Sequence, residues 1–357
     1  MRAFSSKIQK GGLAQLRGTF LPCTRPDMPT ILAFPDLLED PKYLSPLFNA
    51  KLREFRNVWL LSYRNSYLSD RADTMTAEEI ASDVINFMDQ KKITMASALG
   101  HGFGGKIASI AGILKYHRIT SVVGLDYAPQ NYTKHACWLE LKAAVEFAAK
   151  LDIKGNSRAQ LDPLIRAAIK NPRLRKNVLD NLMGDDKSGY MWKSGMKELA
   201  HNMNLRDDRD NLGLFPLLGI FPGRALFFFA ERGNWVHQGS NTIPIYNLFP
   251  QLNMTYGRFL DHIDTDNHWM HESDCAPTLA RRIAEFYRWF DGVHPTLMDR
   301  SEIGKVALPV RSRLDLTKEE AQYLVEEGNH SIPKMIPVHR HHNWAYNPDA
   351  PKYQVPQ

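Results

Sequence analysis

Residues 93–117, ITMASALGHGFGGKIASIAGILKYH, constrain the fold more than any other stretch of this 357-residue chain. A run with buried-strand pattern enters a cluster of glycines, and an apolar helix follows at once. A strand that turns so sharply into a helix needs small residues where backbone passes close to backbone, and Gly100, Gly102, Gly104 and Gly105 supply them. The layout is glycine-x-nucleophile-x-glycine, with Gly102 in the nucleophile's place.

Around this segment strands and helices alternate. TILAFP (30–35) and NVWLLSY (57–63) read as buried strands. TAEEIASDVINFMDQ (76–90) opens on a Thr76–Glu79 capping box and carries Ile80, Val84, Phe87 and Met88 at helical spacing. ITMASAL (93–99) is a third strand and GKIASIAGILKYH (105–117) a helix. ITSVVGLDYAP (119–129) is a strand ending on Asp126. RALFFFAE (224–231) and NMTYGRFL (253–260) are the last strands, and APTLARRIAEFYRWF (276–290) is the final helix. Strict alternation predicts a doubly wound, mainly parallel sheet. Between residues 133 and 216 the strand patterns stop, and Ala, Leu, Lys and Arg at helical spacing predict a helical cap over the carboxyl ends of the strands.

Charge is uneven. Residues 1–26 hold five basic residues and no acid, and residues 331–357 hold three against one acid, so the body of this +6 chain is nearly neutral. That distribution argues against a basic nucleic-acid-binding domain, while either end could lie on phosphate or on an acidic surface. The first 28 residues resemble a transit segment or a basic arm, which implies a mitochondrial, matrix-side location. Cys23, Cys137 and Cys275 are too few and too scattered for a disulfide framework. The longest apolar passage, from Leu214 to Ala230, is broken by Pro216, Pro222, Gly223 and Arg224, so no transmembrane segment is expected. Residues 293–357 form a C-terminal extension. It holds one short amphipathic helix opened by Thr317 and Glu320, then a proline-rich tail whose Arg340, Trp344, Tyr346 and Tyr353 are suited to anchoring on a partner.

From about residue 29 to 292 the chain resembles the α/β-hydrolases of the small esterase and mitochondrial abhydrolase-domain group. GHGFGGKIA resembles that group's GHSMGGK-x-A elbow, and VVGLDYAP its VVxDIAP strand end. ERGNWVHQGS resembles its GGNSxYV loop, and DNHWMHESDCAP its GHWxHxExP ending. The resemblance implies the α/β-hydrolase fold with a helical cap and extended N- and C-terminal arms. It also implies triad positions Gly102, Asp126 and His268, and places Gly233 where the group often has a second serine. FPDLLED stands where the group has HGxxG, with Phe34 and Pro35 in the His-Gly places, and Pro35 has no N–H to offer an oxyanion. SYRNSYLSD stands for DxRNHGxS and keeps Arg64 and Asn65.

Because glycine cannot form an acyl intermediate, this reading expects no catalytic residues and no enzyme, with Asp126 and His268 persisting as a buried hydrogen-bonded pair. No cofactor and no metal are expected, since His262, Asp264, Asp266, His268 and His271 lack a closed ligand pattern. The function expected on these grounds is a non-catalytic structural subunit of a large mitochondrial complex, foremost the mitochondrial ribosome, with rRNA contact through the basic termini. An accessory subunit of a respiratory-chain or ATP-synthase complex is one alternative. A serine-independent His-Asp enzyme or a ligand-binding module is another.

Overall fold

Along Thr30–Phe34 (β2) the side chains divide between two cores: Leu32 and Phe34 enter one, Ile31 and Ala33 the other. Arg224–Ala230 (β8) does the same, sending Ala225, Phe227 and Phe229 one way and Leu226, Phe228 and Ala230 the other. Strands apolar on both faces must be covered on both faces, which is why these runs are continuous rather than alternating. The computed structural model describes residues 12–24, 28–48, 50–205, 212–213, 219–236, 243–249 and 260–291.

The remaining elements of the sheet layer are β1 (Gly18–Leu21), α1 (Ala50–Arg53), β3 (Asn57–Leu61), α2 (Ala77–Gln90), β4 (Ala96–His101), α3 (Phe103–Leu114), β5 (Ile119–Leu125), α8 (Ile243–Leu248), β9 (Leu260–Ile263) and α9 (Ala276–Asp291). A 3-10 segment spans Pro41–Leu47. Among the described residues the sheet has seven strands in the order β1-β3-β2-β4-β5-β8-β9, with only β1 antiparallel to its neighbour. The doubly wound, mainly parallel sheet read from the sequence is therefore present. Strand order reverses between β2 and β4, and a crevice opens at the carboxyl ends of strands at such a reversal.

Helix α2 begins as its sequence dictates. Glu79 N donates to Thr76 Oγ1 at 3.3 Å and Thr76 N donates to Glu79 Oε2 at 2.9 Å, closing the capping box. Ile80, Val84, Phe87 and Met88 all enter the core.

Strand β1 and a hairpin in the cap are among the elements that escaped the sequence reading. Strand β1 lies within the segment read as a basic arm, where its exposed GTFL pattern carries little strand signal. The cap contains α4 (Ala136–Lys150), α5 (Arg158–Ala168), α6 (Pro172–Asp180) and α7 (Met196–Asn204), but also an antiparallel hairpin of β6 (Leu182–Asp185) and β7 (Gly189–Trp192). The signal for that hairpin was the turn GDDKSG, in which Asp185 Oδ1 accepts from Lys187 N at 2.9 Å and Ser188 N at 2.7 Å. The expected strand at 253–260 falls outside the described residues except for Leu260. The C-terminal helix and Arg340, Trp344, Tyr346 and Tyr353 lie wholly outside them. Among the described residues, no helix is long and apolar enough to cross a membrane.

Arg64, in the turn SYRNSYLSD, is fully buried. It donates to Asp83 at 2.7 and 2.9 Å and pairs with Glu79 at 2.9 Å, while Asp83 also accepts from Ala14 N at 2.7 Å. Arg64→Ala would leave the Asp83 carboxylate buried without its counter-charge. The expected loss is about 3–5 kcal/mol, read as a lower denaturant midpoint with an unchanged slope.

Candidate functional site

The site is built by register. β2 pairs with β4 so that Phe34 lies opposite Gly100. Two residues further along each strand, Asp36 and Gly102 therefore come together. Gly102 is the N-cap of α3 with φ 51°, a left-handed conformation that favours glycine. A Cβ on Gly102 would stand 2.4 Å from Asp36 Oδ1, so the Asp36 carboxylate occupies the space that a side chain at position 102 would fill. Close packing behind the turn also needs a glycine, since a Cβ on Gly104 would meet the Phe34 carbonyl oxygen at 2.1 Å.

Each oxygen of Asp36 has a partner. Oδ1 accepts from Phe103 N at 2.7 Å, the first amide of α3, and Oδ2 lies 3.2 Å from His268 Nε2. On its other side His268 Nδ1 lies 2.6 Å from Asp126 Oδ2, and Asp126 Oδ1 accepts from Ala230 N at 3.1 Å. Asp126 itself has φ 44°, an uncommon conformation for a non-glycine residue and one found where the surroundings over-determine the backbone. Asp36, Asp126 and His268 are all buried, and Trp235 stacks on the imidazole with centroids 4.8 Å apart.

Burial pulls the His268 pKa down, but hydrogen bonds and charge from Asp126 and Asp36 outweigh it and raise the value to about 9. At neutral pH His268 thus carries both protons, donating one to each carboxylate. The linkage has a definite sign. A group raised from about 6.5 to about 9 stabilises the fold fully below 6.5, and that contribution fades as pH climbs through 9. The amount is about 3 kcal/mol. Chemical denaturation between pH 6.5 and 9.5 should show this decline, and His268→Gln should flatten it.

A second polar network supports the first. His101 Nε2 donates to the His268 carbonyl at 2.9 Å, tying the elbow to the loop that carries His268, and its Nδ1 lies 3.2 Å from Glu39 Oε2. Glu39 also accepts from Asp36 N at 3.2 Å and pairs with Arg173 at 2.9 Å. The buried Glu39 resists ionisation by desolvation, yet His271, His101 and Arg173 hold its carboxyl well below the usual range. His271 is buried beside it, and desolvation drops its pKa to about 3. Arg173 belongs to α6, so this network also fastens the cap to the loop after β2. Asn181 does likewise, donating to the Leu38 carbonyl at 2.8 Å.

Of the residues singled out from sequence, the structure brings Gly102, Asp126 and His268 together. It separates the loop residues considered for metal. His268 faces Asp36 and Asp126, His271 faces Glu39, and Asp264 pairs at the surface with Arg232. Two buried groups, Asp36–His101–His268 and Glu39–His101–His271, place ligand-type atoms within 4.8 Å of one another. The Glu39 group is partly neutralised by Arg173. Ser97 and Ser109 turn away from Gly102, with Ser121 donating to Ser97 at 2.7 Å and Ser109 donating to the Gly105 carbonyl at 2.8 Å. Asp36, Glu39, His101, Arg173 and Trp235 were not found from sequence. Asp36 lies inside FPDLLED directly after Pro35, and no local pattern there marks it as a site residue.

No family profile matches the chain. It is 23% identical over 223 residues to the sn-1-specific diacylglycerol lipase ABHD11 of Danio rerio, covering 61% of this chain and 66% of that one. It is 30% identical over 105 residues to Esterase YbfF of Escherichia coli (strain K12), covering 29% and 40%. In both cases the match spans less than two thirds of the curated relative's length. Among solved structures, a marine microorganism esterase superposes with a TM-score of 0.64 at 20% identity, covering 75% of this chain and 99% of that one. E-2-(acetamidomethylene)succinate hydrolase gives 0.53 at 16%, covering 76% and 94%.

These findings correct two expectations. The chain was expected to be no enzyme and to serve as a non-catalytic subunit of the mitochondrial ribosome or of a respiratory-chain or ATP-synthase complex. The proteins it resembles are named as hydrolases, and neither curated relative is named as a subunit of such an assembly. The physical premise was incomplete as well: Gly102 has no side chain, but β2 delivers a carboxylate to the same place. By sequence and by structure, the chain has the α/β-hydrolase fold in its esterase-like form.

Proposed function

We propose that this chain is a hydrolase of carboxylic esters in which Asp36, His268 and Asp126 carry the chemistry and position 102 supplies no nucleophile. The observation that carries the reading is the Asp36 carboxylate, set between the Phe103 amide and His268 Nε2, with Asp126 behind the histidine. The relatives' names support ester hydrolysis as the reaction class.

Each group has a role that its geometry suits. Asp126 holds the Nδ1–H of His268 and fixes the ring's orientation, helped by the stacked Trp235. His268 presents a proton at Nε2 toward the place where an ester's leaving oxygen would lie, and having given it up can take one from water. Asp36 presents the charged oxygen that a serine would otherwise provide. Phe103, Tyr127, Tyr132 and Trp138 form the buried aromatic surroundings of the turn.

The test is a panel of p-nitrophenyl esters of increasing acyl length, offered to the purified full chain. The expected outcome is turnover of at least one member, reduced by on the order of 10²–10⁴ in Asp126→Asn. Release no faster than buffer across the whole panel would overturn the reading.

A further inference from the structure

Resting on that hydrolase reading, we infer that Asp36 is a covalent nucleophile: Oδ2 takes the acyl group, and water then attacks Asp36 Cγ rather than the acyl carbon. The two oxygens of Asp36 stand in different surroundings. Oδ1 sits on the Phe103 amide at 2.7 Å, where negative charge on it is stabilised, and Oδ2 faces the proton donor His268 at 3.2 Å.

In the first step an Oδ2 lone pair forms a bond to the ester carbonyl carbon. The carbon–alkoxy bond breaks, and the departing alkoxide takes the proton from His268 Nε2, leaving as the alcohol. The product on the protein is a mixed anhydride, and His268 is now neutral. In the second step His268 Nε2 takes a proton from water as the water oxygen bonds to Cγ. The charge that develops goes to Oδ1, which already holds the Phe103 N–H. Collapse breaks the Cγ–Oδ2 bond, so the acyl group leaves as a carboxylate carrying Oδ2. Asp36 keeps the water oxygen and releases one proton to solvent, and His268 is again protonated on both nitrogens. Attack at Cγ puts the developing charge on an oxygen whose donor, the Phe103 amide, is already in place.

The directions of the hydrogen bonds favour this assignment. A carboxylate that only satisfied His268 would not need the first amide of α3, and one that only capped α3 would not need to face the imidazole. Asp36 does both, with one oxygen for each, while Asp126 leaves the imidazole no freedom to turn away.

The experiment is a single turnover of p-nitrophenyl butyrate by excess full-length protein in water enriched in oxygen-18, followed by mass spectrometry of the butyrate and of the proteolytic peptide containing Asp36. The expected result is one heavy oxygen on Asp36 and none in the first-turnover butyrate, with no label on protein incubated without ester. Turnover with the heavy oxygen in butyrate and an unlabelled Asp36 would overturn the inference while leaving the hydrolase reading intact. Absence of turnover would overturn both.

Discussion

Asp36→Asn should lower kcat/KM for ester hydrolysis by on the order of 10³ or more while leaving the protein folded. The substitution keeps the shape of the side chain, and its amide oxygen can still accept from Phe103 N. It removes the negative charge that faces His268 and replaces an oxygen with an NH2 group, which can neither attack a carbonyl nor accept the imidazole proton. It also removes one of the two carboxylates that raise His268, so the alkaline decline in stability should be smaller and end at a lower pH than in the wild-type protein. Activity and the stability curve should therefore change together. Wild-type kcat/KM in the Asp36→Asn variant would remove Asp36 from the mechanism.

Gly102→Ser should fail to produce a serine hydrolase and should destabilise the protein. Residue 102 lies at φ 51°, and its new Cβ would fall 2.4 Å from Asp36 Oδ1 and 2.5 Å from Asp36 Cγ. A non-glycine residue held in such a conformation costs about 1–3 kcal/mol. Overpacking against the carboxylate adds about as much again, unless Asp36 leaves the Phe103 amide. In either case ester hydrolysis should fall, because the serine enters at the expense of the group that does the work. Adding Asp36→Gly to Gly102→Ser should restore part of the lost stability, and the non-additivity of the pair measures the steric coupling. Denaturant midpoints of the two single variants and the double variant decide the matter. Strict additivity would mean that the two side chains do not compete for one space.

These two residues also show where sequence reading reaches and where it stops. The glycine cluster placed the turn correctly because close approach of α3 to β2 can be met only by residues without a Cβ, a constraint written in residue type. Asp126 and His268 were found through their motifs, and the structure puts them 2.6 Å apart. Asp36 was missed because its role depends on register between β2 and β4, and register comes from pairing between segments far apart in the chain rather than from any local pattern. Reasoning position by position, a glycine in the nucleophile's place looked like the absence of a reaction. In three dimensions a neighbouring strand brings a carboxylate to the same point. Glu39, His101 and Arg173 were invisible for a similar reason, since their contacts run between the loop after β2, the elbow and the cap. The β6–β7 hairpin was legible in its turn residues, but the surrounding helical periodicity was allowed to outweigh them.

Everything proposed for this site depends on His268, held between two carboxylates, moving protons in ester hydrolysis. That role is tested by the hydrolysis rate of one short-acyl p-nitrophenyl ester with wild-type and His268→Ala proteins purified side by side, each checked for a cooperative unfolding transition. Steady turnover is expected from the wild-type protein, and a rate near that of buffer from the folded His268→Ala protein. Equal rates from the two proteins, or none from the wild type, would contradict that role.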